Sequence, residues 1–140
     1  MRLARILASA CGLGLAACAA APSGAGGAAP SLAGTRWVGV VDAATDRRAV
    51  PRLEFVREGR VSGFTGCNML SGTWRTEGAE VRFGPVATTK RLCAGAEGET
   101  EKRLLAVLGE KGRATLEGGR LVLSSADGGR FEFREAPPGY

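Results

Sequence analysis

Beyond Gly34 the apolar residues fall into short runs, most of them alternating with polar residues and each closed off by glycine. Residues 35–41 carry Trp37, Val38, Val40 and Val41; residues 52–57 alternate Leu53 and Phe55 with charges; residues 60–65 alternate Val61 with small side chains. Residues 69–76, 80–83, 113–117, 120–124 and 130–134 continue the pattern, the last two setting Leu121 with Leu123 and Phe131 with Phe133 on one face. A period of two marks a strand with one buried face, so eight strands are predicted. Glu58-Gly59, Glu77-Gly78, Glu117-Gly118-Gly119 and Asp127-Gly128-Gly129 lie between them, where hairpins need positive φ and glycine adopts it without steric cost.

One segment departs from that period. Residues 99–111 place Leu104, Leu105, Val107 and Leu108 at helical spacing, with Glu97, Glu99 and Glu101 early and Lys111 late, as the helix dipole favours. This predicts the domain's one helix, with Gly112 as its left-handed stop and the leucine stripe as core packing. The fold class is therefore mainly β: a small antiparallel barrel-like sheet of about eight strands with one amphipathic α-helix over an open face or end.

The first residues read as an address. Arg2 and Arg5 precede an uncharged apolar stretch, residues 6–17, which is the layout of a secretion signal and too short to span a bilayer. It ends in Leu15-Ala16-Ala17-Cys18, which resembles a bacterial lipobox and implies cleavage after Ala17 and lipidation of Cys18. Cys11 is the rival lipid site, and an ordinary signal cut within Ala19-Ala20-Ala21 is the simpler alternative. From Ala19 to Gly34 the chain is almost only Ala, Gly, Pro and Ser, a composition that cannot bury enough surface to offset ordering entropy. It is expected to act as a flexible tether spanning about 20–24 Å. Four regions follow: signal peptide 1–17, lipidated tether 18–34, folded domain 35–135 and a C-terminal tail 136–140. Ala19, in place of aspartate, resembles lipoproteins sent to the outer membrane and implies a site there facing the periplasm.

Composition narrows the chemistry. The 140 residues include 19 Lys and Arg, 14 Asp and Glu and no His, so the usual general base and imidazole metal ligand are missing. Loss of the leader lowers the net charge from +5 to +3, with 17 basic and 14 acidic residues remaining. The cations are spread, with no run longer than Arg47-Arg48 or Lys90-Arg91 and no aromatic set between them, which argues against nucleic-acid binding. Once Cys11 is discarded and Cys18 lipidated, Cys67 and Cys93 remain in an oxidising compartment, and parity points to one disulfide closing 26 residues. Two buried free thiols are the alternative. Neither cysteine has a second at metal-site spacing, so no metal or other cofactor is expected.

Gly66-Cys67-Asn68, followed by Gly72, Trp74 and Gly78 and then Ala87-Thr88-Thr89 and Cys93, closely resembles the META domain, also called the heat-shock protein HslJ family. The likeness runs from about Leu32 to Arg134 and includes the later Glu101 and leucine helix. Two positions depart from the family: Arg91-Leu92 stands where Met-Ala is common, and Trp74 where Tyr is usual. The resemblance implies a barrel-like domain of secreted or lipid-anchored bacterial proteins associated with stress, with no reaction attached.

On residue chemistry alone, Gly66 and Asn68 flanking Cys67 suit a tight corner beside a disulfide. The functional reading has Asn68, Thr88, Thr89 and Arg91 lining a polar ligand-binding site beside the bridge, for an anionic group. Trp37 and Trp74 read as core or rim. The leading expectation is a non-enzymatic, lipid-anchored envelope domain that binds an envelope protein or small molecule. The runner-up is a proteinaceous inhibitor of a cell-wall hydrolase or protease acting through a projecting loop, residues 42–51, which carries Arg47-Arg48. A hydrolase built on paired carboxylates such as Glu54 and Glu80 is the third, disfavoured because glutamates alternating along a strand normally face solvent.

Overall fold

The computed structural model describes residues 31–140. The expected signal peptide, the cut after Ala17 and the lipid site at Cys18 lie outside the described residues, as does most of the tether. Eight strands, β1 (Arg36–Gly39), β2 (Arg52–Val56), β3 (Arg60–Phe64), β4 (Met69–Glu77), β5 (Glu80–Thr88), β6 (Gly112–Glu117), β7 (Arg120–Ser125) and β8 (Arg130–Glu135), pair with their sequence neighbours. Pairing of β1 with β8 closes the antiparallel barrel. Closure pairs each strand with two neighbours, the β5–β6 seam being the shortest at two residue pairs. One helix, α1 (Gly95–Val107), connects β5 to β6.

The inward positions of the alternation form a single core around Phe55, Phe83 and Phe133, each almost wholly buried, with Leu53, Leu121 and Leu123. Trp37 is in this core, its indole N–H donating to Thr35 Oγ1 at 2.8 Å. Trp74 sits at its rim, edge-on to Phe55 with ring centroids 5.4 Å apart, and donates to the Arg60 carbonyl at 3.0 Å.

Four local expectations are corrected. The strand expected to stop at Phe83 runs to Thr88, because Gly84-Pro85 forms a bulge: Gly72 pairs with Val86 and Trp74 with Phe83, leaving two β5 residues opposite one. A bulge removes the ladder bond that proline cannot make. The helix begins at Gly95 rather than residue 99, and ends at Val107 rather than 111. Its left-handed stop is Gly109 (φ 93°), not Gly112, which already starts β6. The folded part also begins earlier than residue 35: Leu32 is 1% exposed within the core, and the Gly34 N–H donates to the Phe55 carbonyl at 2.6 Å.

The up-and-down order puts the 40–51 connection, the 65–68 corner, the 89–94 loop and α1 at one end of the barrel. Leu104 and Val107 of α1 are buried there, and the Arg103 guanidinium lies 5.7 Å above the Phe131 ring. Beyond its two residue pairs with β6, at Val81 and Arg82, β5 parts from its neighbour and the chain has room to cross into the helix.

Candidate functional site

Between β3 and β4 the chain reverses over Thr65-Gly66-Cys67-Asn68, closed by the Thr65 N–H donating to the Asn68 carbonyl at 2.8 Å. Gly66 has φ 101°, and a Cβ there would stand 2.7 Å from the Ala49 carbonyl, so both backbone conformation and space demand glycine. The Thr65 hydroxyl accepts from the Asn68 N–H at 2.8 Å and donates to Glu101 Oε1 at 2.7 Å. Thr65 is wholly buried and Asn68 is 4% exposed.

Asn68 spends its whole amide on two other pieces of chain, the 89–94 loop and α1. Its Oδ1 accepts from the Arg91 backbone N–H at 2.7 Å and the Thr89 hydroxyl at 2.8 Å. Its Nδ2 donates to the Arg91 carbonyl at 2.9 Å and to the Glu101 carboxylate, whose oxygens lie at 3.0 and 3.1 Å. Cys67 forms the disulfide with Cys93 at a Cα–Cα distance of 6.0 Å. The 89–94 loop is thereby clamped from below at Thr89 and Arg91 and covalently at Cys93, while its outer surface is open: Lys90 and Arg91 are exposed and Leu92 is 98% exposed.

The structure thus brings Gly66, Cys67, Asn68, Thr89, Arg91 and Cys93 together. Asn68 and the Thr89 hydroxyl are consumed in holding the loop; Arg91 contributes its backbone to the clamp and its side chain to solvent. Thr88 shares its sheet face with Leu70, and Gly72 lies on β4 where a Cβ would come 3.0 Å from the Pro85 carbonyl. Thr65 and Glu101 complete the cluster without having been singled out as site residues. The signal for Glu101 was available: it lies three and seven residues before Leu104 and Leu108, so a carboxylate interrupts the apolar stripe of the helix.

The 42–51 connection does not stand out from the barrel along its whole length. Its second half is a 3₁₀ turn, Arg47–Ala49, capped by Asp46, whose carboxylate accepts from the Arg48 N–H at 2.8 Å, and Ala49 and Pro51 are buried. Glu54 on β2 pairs with Arg36 at 3.2 Å, and Glu80 on β5 with Arg82 and Arg113 at 3.3 and 3.7 Å. Two strands lie between β2 and β5. Among the described residues no three of His, Cys, Asp or Glu gather as a metal site would require, and no helix is long and apolar enough to cross a membrane.

A closed barrel with one capping helix and a disulfide-braced corner defines a small β-barrel domain with an extra helix at one end. The META domain model matches residues 30–138, and the chain belongs to the META domain family. Its fold is similar to an NMR structure of a protein from Burkholderia xenovorans, at 21% identity over 75% of this chain and 83% of that one, with a TM-score of 0.60. A second NMR structure shares 22% identity over 74% of this chain and 90% of that one, again with a TM-score of 0.60. A DUF4847 family protein from Bacteroides vulgatus shares the fold at 12% identity and a TM-score of 0.51, over 74% and 94% of the two chains. No curated protein matches the chain.

Proposed function

We propose that this protein is a non-enzymatic binding module of the bacterial envelope. It is cut after Ala17, anchored through lipid on Cys18 in the outer membrane facing the periplasm, and recognises an envelope protein through its 89–94 loop in support of the stress-related role associated with the family. The observation that carries the reading is the clamp beneath that loop: one buried side chain, Asn68, bonds both the N–H and the carbonyl of Arg91 while Cys93 is tied by the disulfide. A loop already ordered loses little entropy on binding, and Leu92, preceded by the two cations Lys90 and Arg91, offers an apolar anchor for a pocket with an acidic rim.

The same geometry favours the inhibitor reading as a second choice, with the recognition element moved from residues 42–51 to the 89–94 loop. A rigid loop with one fully exposed leucine suits the cleft of a cell-wall hydrolase or protease.

Intact mass of the protein purified from membranes, with and without reductant before alkylation, tests anchor and bridge together. The expected species begins at Cys18 with acyl chains and yields two alkylated thiols only after reduction; an unlipidated chain sinks the anchored reading. Binding is tested by crosslinking in intact cells, comparing wild type with Leu92→Asp. Loss of one specific envelope adduct in the variant supports recognition through the loop, and adducts unchanged by it overturn that role. A panel of purified muramidases and proteases then separates inhibition from docking.

A further inference from the structure

The outer surface of the barrel is mostly a lattice of paired charges. Arg75, Glu77, Arg82, Glu80 and Arg113 form one chain of ion pairs, and Arg120, Glu132, Arg130 and Glu117 form another. The face built by β1, β2 and β3 departs from this. Cross-strand partners share a face, so the register Arg36↔Glu54↔Ser62 and Arg52↔Phe64↔Met69 sets these residues side by side on the outside. The Arg47–Ala49 turn closes one side of this face and brings Arg47 and Arg48 to it, forming an open groove of about 760 Å³ that Tyr140 also lines.

Two properties of the groove stand out. Among the described residues, Arg47, Arg48 and Arg52 take part in no ion pair, and the groove's single carboxylate side chain, Glu54, is engaged by Arg36 at 3.2 Å. Its floor is apolar: Phe64 lies under the Arg52 guanidinium at 5.3 Å, and Met69 is 59% exposed beside it. Arg60 and Arg134 are also outward arginines without an ion pair among the described residues, but only in the groove do three such cations line the same concavity as an aromatic and a thioether. The volume falls within the few hundred to about 1,000 Å³ of small-molecule sites.

We infer that this groove binds a small amphiphilic anion, with an aromatic or aliphatic body lying on Phe64 and Met69 and a phosphate, sulfonate or carboxylate held by Arg47, Arg48 and Arg52. Guanidinium groups suit such an anion because their planar donors pair with two oxygens at once. No residue of the 89–94 loop lines the groove, although the Met69 backbone exchanges hydrogen bonds with Thr89 at the loop's base, and the site stands whether or not that loop recognises a protein.

The test uses the full chain in neutral detergent, titrated calorimetrically with 2-naphthyl phosphate and, as the uncharged match of the same ring, 2-naphthol. Saturable one-to-one binding of the phosphate is expected, at least tenfold tighter than the naphthol and weakened at least tenfold by Arg47→Gln/Arg48→Gln or by Arg52→Gln. Raising salt from about 50 to 500 mM weakens it further. Leu92→Asp leaves it unchanged, so failure here and failure of the loop reading are separable. Partition into micelles is unaffected by the arginine variants, and a signal of that kind overturns the site. Binding of anionic vesicles or an acidic peptide that needs these arginines, without binding of naphthyl phosphate, also overturns the assignment to a small ligand. Unchanged thermal midpoints confirm that the variants, all at outward positions, remain folded.

Discussion

Asn68 Nδ2 lies 3.0 and 3.1 Å from the two carboxylate oxygens of Glu101, thirty-three residues away on the helix. That contact joins the β3–β4 corner to α1, and the rest of the same amide joins both to the loop between β5 and the helix. One side chain thus sets the mutual placement of three elements at the helix end of the barrel.

Asn68→Ala removes the partner of the Arg91 N–H and carbonyl and of the Glu101 carboxylate at once. A buried polar group left unpaired costs about 1–3 kcal/mol, and water reaches the loop side, so a loss of about 2–3 kcal/mol is expected in urea unfolding. Glu101→Gln keeps the side-chain shape and a bond to Thr65, and should lose less. Equal stability of Asn68→Ala and wild type would remove the corner from the account of the fold.

The disulfide closes a 26-residue separation, which the loop-entropy relation values at about 3–4 kcal/mol. Cys67→Ser/Cys93→Ser should fall in stability by an amount of that order. Amide exchange in the 89–94 loop should accelerate more than in β7 or β8. Uniform acceleration across all strands would mean that the bridge acts on the whole domain rather than on the loop.

Gly98 gives a prediction of sign. In an open helix Gly→Ala stabilises by about 1 kcal/mol. Here a Cβ at position 98 would collide with the Cys93 carbonyl, so Gly98→Ala should destabilise, and the thermal midpoint should drop rather than rise. Gly78→Ala is the contrasting case: nothing lies within 4 Å of its Cβ position, and the cost comes only from φ 60°.

Acid acts through the paired glutamates. The Arg130 guanidinium first, then the Thr115 hydroxyl, hold the Glu117 carboxyl below its ordinary value. A lowered folded-state value means stability that is present above the unfolded-state value and lost as pH falls through the folded one. The difference in urea midpoint between wild type and Glu117→Gln should therefore be small and positive near pH 7 and vanish near pH 3. About 1 M salt should also abolish it at neutral pH, because the pair is exposed.

The resemblance to the META domain carried by Gly66-Cys67-Asn68 and Thr89 was legible, and the family match bears it out. The role of Asn68 was not. A left-handed corner and a hydrogen-bond hub both call for asparagine, and only the approach of Arg91 and Glu101 distinguishes them. Leu92 was read as a departure from the family's pattern, yet its exposure follows from the disulfide and clamp that turn the loop outward. The groove was invisible because Arg36, Arg47, Arg52 and Phe64 have no common spacing; strand register and the 3₁₀ turn make them neighbours.

By itself the sequence determined the number of strands and the single helix, since alternation and glycine turns are properties of short stretches, and it pointed to one bridge between Cys67 and Cys93 with two free thiols left open, which the structure resolves as the disulfide. Tertiary structure alone decided that Leu32 enters the core, that Gly84-Pro85 bulges instead of ending β5, and that the helix starts four residues early over a glycine. Two of those outcomes are set by partners distant in sequence, the Phe55 carbonyl and core for the entering segment and β4 for the bulge, while at the helix start Gly98 makes room for the Cys93 carbonyl five residues before it. Local preference is worth about 1 kcal/mol per residue, and closure of a barrel core outweighs it wherever the two disagree.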